Sequence, residues 1–377
     1  MFHFIFDPYT MGAMVLAMVI TLVAIPPIVR TAKANGLVAK MNGRTSHNGD
    51  VPLLGGAAIL LATLTATSFI TPSFEFHFLK IFLPVMIFLF MMGVKDDLID
   101  MPMRTKLIYE LACAIIISAF GFRIVSFYGI LGIYTLPTWF SYFFTVFVII
   151  GITNAFNLLD GIDGLASGIG ITSAAVLGTW LFATNQGFYS VLAFSLVGSL
   201  SAYFYFNVWG KKYKIFMGDA GSLLIGFIIS ILAIKILEIG SFPNDFTNWE
   251  GFPIIVMSTV IIPIVDTLRV SFTRIIKGQS PFYPDKIHLH HYMLKLGFSH
   301  LAATVIIVTV NLAFTVLAFA LGDMQPFALA MIILFGALAV TLIPIFIVKN
   351  RQKSQVGAGE PLQSAKKSAI QSESVKI

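Results

Sequence analysis

The chain has 377 residues, of which 57% are hydrophobic and 11% are charged, with a formal net charge of +6. Soluble domains carry about 25% charged residues, so this composition excludes a soluble globular protein and indicates a polytopic membrane protein. The single cysteine, Cys113, excludes a framework of intramolecular disulfides. Residues 1–10 carry no Lys or Arg ahead of the first apolar run, so we expect no cleavable signal peptide.

Apolar runs that are long enough, or nearly long enough, to cross a bilayer recur along the chain. They are continuous and do not alternate with a period of two residues, which favours helices over a β-barrel. In chain order they lie at 11–29, 52–71, 80–95, 107–122, 138–157, 166–184, 188–206, 221–238, 252–270, 301–321 and 326–348. The sequence therefore predicts about 11 transmembrane helices.

The positions of Lys and Arg predict how these helices are oriented. With the N-terminus outside, the inner segments are 30–51, 95–106, 207–219, 269–300 and 349–377. All but three of the 24 Lys and Arg residues lie in them, and the exceptions are Lys80, Arg123 and Lys235. Because cytoplasmic loops are enriched in basic residues, we expect the N-terminus outside the cytoplasm and the C-terminus inside.

These patterns predict an all-α polytopic integral membrane protein in which residues 1–349 form one membrane-embedded domain. No internal repeat of the kind found in inverted-repeat transporters is visible in the sequence. Residues 350–377 are polar and basic and lack apolar periodicity, which predicts a disordered cytoplasmic tail.

Four polar segments lie at the predicted inner face. They are GVKDDLID (93–100), NAFNLLDGIDG (154–164), FMGDAGS (216–222) and PDKIHLHH (284–291). Each alone has an ordinary explanation as a solvated helix end, a helix cap or a basic inner loop. Polar groups at membrane depth are costly unless they are paired, hydrated or functional. Four such segments on one face therefore favour one shared active site.

The first and third segments suit anionic ligands and cations. Asp96 and Asp97 can each share a helical face with Asp100, and neighbouring carboxylates recruit a divalent cation or a basic partner. Asp219 opens a predicted helix, where backbone N–H groups favour a phosphate. The chain contains no GxxxxGK[ST] sequence, which excludes a P-loop enzyme.

The second segment places Asn154, Asn157 and Asp160 at intervals of three residues on one helical face, and Asp163 follows Gly161. Mg²⁺ takes oxygen ligands of this kind, commonly one or two from the protein together with substrate phosphates. The histidines of the fourth segment could suggest zinc, but neither cysteine pairs nor an HExxH pattern accompany them. Phosphate chemistry at a membrane interface suits one lipid-soluble and one water-soluble substrate.

Four longer sequences carry a family resemblance. GVKDDLID, NAFNLLDGIDGLASG, FMGDAGSLLIGF and SPFYPDKIHLHHYMLKLG resemble, in order, the motifs of the polyprenyl-phosphate N-acetylhexosamine-1-phosphate transferases. The resemblance implies transfer of a sugar-1-phosphate from a UDP-sugar to a polyprenyl phosphate at the cytoplasmic face, with release of UMP. It also implies eleven helices with the N-terminus outside, in agreement with the charge pattern.

The histidine segment resembles the branch that acts on UDP-N-acetylglucosamine. It lacks the HHHxE pattern of the peptidoglycan branch, phospho-N-acetylmuramoyl-pentapeptide transferase. The resemblance therefore implies transfer of N-acetylglucosamine-1-phosphate to undecaprenyl phosphate in the bacterial inner membrane. The product would begin a lipid-linked cell-envelope glycan of the O-antigen, common-antigen or teichoic-acid type.

The resemblance also implies residue roles. The metal would be Mg²⁺, with Mn²⁺ as a substitute, and its ligands would be Asn157 and Asp219. Asp96 or Asp97 would deprotonate or position the lipid phosphate, and the catalytic group as a whole would be Asp96, Asp97, Asp160, Asp163 and His290. The substrate-binding group would be Arg44, His47, Lys106, Asn154, Asn207, Arg274, His288 and His291.

The first inner loop, residues 36–56, departs from the family pattern. Where the family often has Asp, Pro, Lys and Arg, this chain has Ala39, Met41, Thr45 and Leu53. The matching positions are Arg44, His47, Pro52, Gly55 and Gly56. We expect this loop to lie near the sugar nucleotide, so the departure concerns sugar specificity more than fold or metal chemistry.

Several alternatives remain open from the sequence. The donor could be another UDP-sugar, including UDP-N-acetylmuramoyl-pentapeptide, and the transfer could be direct or could pass through an aspartyl-phosphate. A cation-coupled transporter would instead place its acids near helix midpoints, in broken helices paired between two halves. A non-catalytic scaffold would need neither metal ligands nor a phosphate-binding lysine. The expected partners are the membrane, the lipid phosphate and the UDP-sugar, without nucleic acid, and a homodimer is consistent with the resemblance.

Overall fold

The computed structural model describes residues 7–38, 51–71, 76–240, 250–281 and 285–373, and their side chains except at 76, 77 and 353–373. In this part of the chain the regular structure is helical, with one isolated β-bridge between Val38 and Pro52. The helices are α1 (Pro8–Ala34), α2 (Gly55–Ile70), α3 (Phe76–Ile99), α4 (Met103–Ala119), α5 (Thr138–Leu159), α6 (Leu165–Ala183), α7 (Gly187–Val208), α8 (Gly218–Ile239), α9 (Phe252–Ser258), α10 (Ile261–Ile276), α11 (Leu289–Lys295), α12 (His300–Ala320) and α13 (Pro326–Glu373).

Each apolar run predicted from the sequence contains helix in the structure. Among the described residues, eight helices are long and apolar enough to cross a membrane, and the bent pair α9–α10 makes a ninth if it forms one span. Helices α2 and α4 have only 16 and 17 residues, whereas a span usually needs about 20. The protein is therefore an all-helical polytopic membrane protein, while eleven spans and their orientation stay predictions.

The last helix differs from the expected C-terminal tail. Helix α13 runs to Glu373 and does not end near residue 349. The predicted tail lacks apolar periodicity and contains Gly357, Gly359 and Pro361, which disfavour helix, so local propensity gives no account of a helix over these residues. The division into a membrane domain over 1–349 and a cytoplasmic tail stays a prediction.

Helix α8 lies at the centre of the bundle, and almost all of its residues are buried. Its first turn is crossed at close range by two other helices. A Cβ on Gly56 of α2 would lie 2.5 Å from the backbone nitrogen of Gly221, and a Cβ on Gly93 of α3 would lie 2.3 Å from Cα of Ala220. Only glycine allows these approaches, and they bring the ends of α2 and α3 to the start of α8.

The bent pair α9–α10 changes direction by 74°. The carbonyl of Thr259 at the break accepts hydrogen bonds from Ser173 Oγ at 2.7 Å and from Asn311 Nδ2 at 2.7 Å. The Oδ1 atom of Asn311 accepts a hydrogen bond from the backbone nitrogen of Ile262 at 3.1 Å. Buried side chains of α6 and α12 therefore satisfy the backbone groups that the break exposes, as a membrane interior requires. The break turns α10 toward the loops that carry the polar motifs.

Candidate active site

Lys106 joins the two acidic motifs at one end of the bundle. It lies in the first turn of α4, and its ammonium forms ion pairs with Asp96 of α3 and with Asp219 Oδ2 of α8, the second at 2.5 Å. Asp96 is buried, and its carboxylate also accepts from the backbone nitrogen of Met101 at 2.7 Å. The structure thus brings together three residues that the sequence predicted for phosphate and metal chemistry.

Asp97, the neighbour of Asp96, contacts the N-terminus of α8. Its Oδ1 accepts from the backbone nitrogen of Asp219 at 2.8 Å, and its Oδ2 accepts from that of Ala220 at 3.3 Å. No side chain of α8 or of its cap residue satisfies these groups, so Asp97 serves as the N-terminal cap of a neighbouring helix. This contact fixes the backbone that carries Asp219.

Asn157 completes the contacts of Asp219. Its Nδ2 donates to Asp219 Oδ1 at 3.0 Å and to Ser222 Oγ at 3.1 Å. An amide presents a donor or an oxygen ligand according to its orientation, which follows from its hydrogen-bond partners. The side chains of Asn157 and Asp219 can therefore turn oxygen ligands toward one point between α5 and α8.

Asn154 lies one helical turn before Asn157 and has a different partner. Its Nδ2 donates to the carboxylate of Glu110 and to the carbonyl of Ile150, the latter at 3.0 Å. Glu110 is buried in α4 and lies one turn beyond Lys106. Glu110 lies outside the polar motifs and was not predicted as a site residue; its signal in the sequence is that of a lone acidic residue inside a predicted membrane span.

The turn after α5 carries Asp160 and Asp163 in different surroundings. Burial, followed by the charges of Asp219 and Asp97, raises the pKa of Asp160 well above its ordinary value. Asp163 is paired with Lys214 Nζ at 2.7 Å, and His300 Nδ1 lies 3.6 Å from the same carboxylate oxygen. The two acids are thus both at the site, but only Asp163 is held by a basic residue from the α7–α8 loop.

Asn207 is a connecting residue in this structure. Its Oδ1 accepts from the backbone nitrogen of Gly164 at 2.7 Å, and its Nδ2 donates to the carbonyl of Ile215 at 2.9 Å. Its buried side chain therefore ties the turn after α5 to the loop before α8. The predicted contact of Asn207 with a substrate stays a prediction.

The histidine segment packs against the same turn. The ring of His290 lies on Gly161, and the rings of His288 and His290 are parallel with centroids 5.9 Å apart. Burial, followed by the charges of His291 and His288, lowers the pKa of His290 to about 3. The pKa of His291 is lowered to about 4 by burial and by His288 and nearby lysines. Both rings are therefore neutral near pH 7.

Arg274 is engaged within the protein. Its Nε and Nη2 donate to the two carboxylate oxygens of Asp285 at 3.0 and 2.9 Å, and its Nη1 donates to the carbonyl of Pro281 at 2.5 Å. Burial raises the pKa of Asp285, but the hydrogen bonds and charge of Arg274 outweigh this effect and the pKa is lowered. The structure therefore gives Arg274 a part in holding the loop before α11. Arg44 and His47, also predicted to bind substrate, lie outside the described residues.

Comparison with known proteins identifies the family. Residues 79–237 match the sequence profile of glycosyl transferase family 4. The chain is 32% identical over 286 residues to the undecaprenyl-phosphate alpha-N-acetylglucosaminyl 1-phosphate transferase of Escherichia coli (strain K12), with 74% of each chain covered. The chain belongs to glycosyl transferase family 4.

Other relatives of this family 4 glycosyl transferase cover more of the chain or come from other bacteria. One is the "Probable undecaprenyl-phosphate N-acetylglucosaminyl 1-phosphate transferase" of Bacillus subtilis (strain 168), which is 30% identical over 322 residues, with 82% of this chain and 84% of the relative covered. Another is the undecaprenyl-phosphate alpha-N-acetylglucosaminyl 1-phosphate transferase of Yersinia pestis, 30% identical over 276 residues, with 72% and 73% covered. The range that matches the family contains Lys106, Asn157 and Asp219, whereas the histidine segment follows it.

The donor atoms at this site of the glycosyl transferase determine whether it can hold a divalent metal. In the part of the chain that the structure describes, no three or more His, Cys, Asp or Glu side chains are grouped so as to hold a metal ion. An Asn–Asp pair nevertheless fits Mg²⁺, which commonly keeps several waters and takes one or two protein ligands. The carboxylates of Asp97, Asp160 and Asp219 interact with one another, and a divalent cation would offset their mutual repulsion.

Proposed function

We propose that this family 4 glycosyl transferase transfers N-acetylglucosamine-1-phosphate from UDP-N-acetylglucosamine to undecaprenyl phosphate and releases UMP. The names of the relatives supply the lipid acceptor and the sugar-1-phosphate. The observation that carries the proposal is the contact of Lys106 with Asp96 and Asp219, because it unites a phosphate-binding cation with metal-ligand oxygens at one end of the bundle. The relatives are transferases, which favours this reaction over the transporter and scaffold alternatives.

Asn157 and Asp219 would hold Mg²⁺, and the metal would neutralise the diphosphate and stabilise the UMP leaving group. Lys106 is the cation that the chain itself supplies at this point. When it binds a phosphate, it lowers the repulsion between the anionic lipid and the anionic sugar nucleotide. Asp163 with Lys214 and the histidine segment would contact the nucleotide or sugar from the neighbouring loops.

The roles of the paired acids differ in this proposal. Asp97 caps α8 and holds Asp219 in place, so Asp96 is the better candidate to orient the lipid phosphate beside Lys106. A phosphate monoester is mostly dianionic near pH 7, since its second pKa is about 6. Orientation by Asp96 therefore contributes more than deprotonation does. A covalent aspartyl-phosphate on Asp96 is the competing route.

We place this site at the cytoplasmic face of the bacterial inner membrane. The proposal rests on the concentration of Lys and Arg in the loops that surround the site. It includes the eleven-span arrangement with the N-terminus outside, in which α2, α4 and the α9–α10 pair each cross once. The lipid phosphate would then approach from the bilayer and the sugar nucleotide from the cytosol.

The decisive experiment mixes purified protein with undecaprenyl phosphate, Mg²⁺ and radiolabelled UDP-N-acetylglucosamine. We expect label to move into lipid with equimolar UMP, and we expect EDTA to stop the transfer. Transfer only from another UDP-sugar, including UDP-N-acetylmuramoyl-pentapeptide, would keep the reaction and replace the donor. Folded protein that is inactive with every donor would contradict the proposed function.

A further inference from the structure

Asp266 of α10 is a buried carboxylate that the mechanism above does not use. Its side chain is 5% exposed, and it accepts three kinds of donor. Arg269 Nη2 donates to Oδ1 at 2.6 Å, His288 Nδ1 lies 2.9 Å from Oδ2, and the backbone nitrogen of Leu289 lies 3.1 Å from both oxygens. The carboxylate thus reaches across from α10 to the start of α11 and holds the first histidine of HLHH.

This contact determines which nitrogen of His288 carries the proton. An ionised carboxylate only accepts hydrogen bonds, so Nδ1 of His288 must be the donor, and in the neutral ring Nε2 is then an acceptor. Nε2 of His288 is buried, and the described residues offer it no hydrogen-bond partner. A buried acceptor without a partner is uncommon in a native structure, and it marks a place where a ligand donor group can bind.

The surroundings of His288 connect it to the active site. Its ring is parallel to that of His290, and the His290 ring lies on Gly161 beside Asp160. Arg269 also donates to the carbonyl of Ile287 at 2.7 Å, which fixes the chain just before His288. Asp266 and Arg269 together therefore set both the position of the ring and the direction in which its second nitrogen points.

We propose that Asp266 is a positioning residue that holds His288 in the Nδ1–H tautomer, so that Nε2 accepts a hydrogen bond from an O–H or N–H group of the sugar nucleotide. This inference rests on the proposed function for the identity of that ligand. It assigns His288 to a donor group of the sugar or base, because an acceptor nitrogen does not bind a phosphate oxygen.

The substitution Asp266→Asn should reverse the tautomer. Arg269 donates to Oδ1 at 2.6 Å, whereas the Leu289 nitrogen is equidistant from both oxygens, so the amide oxygen will turn toward Arg269. The amide NH₂ then faces Nδ1 of His288 and donates to it, which moves the ring proton to Nε2. The change removes the acceptor that the proposal assigns to the substrate while keeping the size of the side chain.

The first test is the tautomer of the wild-type protein. The chain has seven histidines, and selective ¹⁵N labelling of the full-length protein in detergent distinguishes protonated from unprotonated ring nitrogens. The His288 signals are assigned by their loss in His288→Gln. We expect a protonated Nδ1 and an unprotonated Nε2; a protonated Nε2 overturns the proposal, and the result does not depend on the folding of Asp266→Asn.

The second test compares Asp266→Asn with Glu238→Gln. Glu238 is also an acid in an i, i+3 ion pair, with Lys235 at 3.2 Å, but it lies at the opposite end of α8 from Asp219. We expect Asp266→Asn to move the His288 proton to Nε2 and to lower kcat/KM for transfer by about 10- to 100-fold, the size that small misplacements in an active site cost and that the loss of a partner orienting a metal-bound histidine also costs. We expect Glu238→Gln to change neither.

The outcomes separate the two proposals. An unchanged tautomer in folded Asp266→Asn, or a reversed tautomer with an unchanged kcat/KM, overturns the positioning role. Wild-type protein that shows the Nδ1–H tautomer but transfers no sugar phosphate overturns the proposed function and leaves the Asp266–His288 geometry supported.

Discussion

The imidazole of His290 lies directly on Gly161. A Cβ on residue 161 would lie 2.3 Å from Nε2 and 2.9 Å from Cε1 of that ring, closer than packed atoms approach. Gly161 follows Asp160, and His290 lies in the HLHH sequence, so this contact joins two motifs that are far apart in the chain. The glycine is required by the close approach, since its backbone is not in the left-handed region.

We therefore expect Gly161→Ala to displace the His290 ring and to reduce transfer by about 10- to 100-fold, since small misplacements in an active site cost this much. Gly151→Ala is the matched control, because a Cβ at Gly151 would meet nothing within 4 Å. The control should retain full activity and gain helix propensity in α5. Equal activity of the two variants in the radiolabel transfer assay would remove His290 from the site.

The sequence was sufficient for the features that depend on local patterns. The apolar runs predicted the helical segments, and the polar motifs predicted one shared site that includes Asn157 and Asp219. The family resemblance added Lys106, and the three residues do meet. The length of an apolar run and the grouping of polar residues at predicted helix ends are properties of short stretches of sequence. They can therefore be recognised without knowing how the helices pack.

The features that were missed depend on partners from distant segments. Glu110 and Asp266 are single acids within apolar helices, and their roles follow only from Asn154 and His288, which other elements bring to them. The run 252–270 was predicted as one helix, whereas the structure breaks it by 74° between α9 and α10. The sequence does not reveal the break, because its backbone groups are satisfied by Asn311 of α12. The sequence also did not predict that Asp97 caps α8 or that Arg274 forms a loop ion pair, because both roles depend on partners from other segments.

Asp97 offers a test of capping against catalysis. Asn is as good an N-cap as Asp, whereas Ala costs typically about 1 kcal/mol. We expect Asp97→Ala to lower the unfolding temperature in detergent by about 2–4 °C, and Asp97→Asn to retain most of that stability and measurable transfer. If Asp97→Asn is as stable as wild type yet inactive, the charge of Asp97 is needed for the reaction itself.

Arg274 and Asp285 form a bidentate pair, so their substitutions should be coupled. We expect Arg274→Lys and Asp285→Asn each to reduce transfer, and the double variant to be no worse than the more affected single variant. A double-mutant cycle on kcat/KM should then give a coupling of about 0.5–3 kcal/mol. If Arg274→Lys lowers kcat/KM by the same factor with and without Asp285, Arg274 contacts the substrate independently.

Asp219 is the residue on which the metal proposal depends most. Asp219→Asn removes the negative charge that pairs with Lys106 and accepts a hydrogen bond from Asn157. We expect transfer to fall by at least about 100-fold, since a metal contributes several kcal/mol to such reactions. Thermal unfolding gives a second readout, because a bound ligand raises stability with its concentration. Mg²⁺ should raise the unfolding temperature of wild type and of Glu238→Gln, but not of Asp219→Asn. An unchanged Mg²⁺ response in Asp219→Asn would place the metal elsewhere.

His290 should make the folded protein sensitive to acid. Burial, with His291 and His288, lowers its pKa to about 3, whereas an unfolded histidine has a pKa of about 6.5. Above pH 6.5 the ring is neutral in both states and has no effect on the pH dependence of stability. As the pH falls from 6.5 toward 3, the unfolded state binds a proton that the folded state excludes, so stability is lost.

At pH 5 the His290 contribution to this loss amounts to about 2 kcal/mol, at about 1.4 kcal/mol for each unit of pKa difference. The variants His290→Gln and His290→Asn both remove the titrating ring. We expect their unfolding temperatures in detergent to fall less than that of wild type between pH 7 and pH 5, while other acid-sensitive groups contribute equally to all three proteins. If the three proteins lose the same number of degrees, then the His290 ring is protonated at little cost, and it does not lie in the buried position against Gly161.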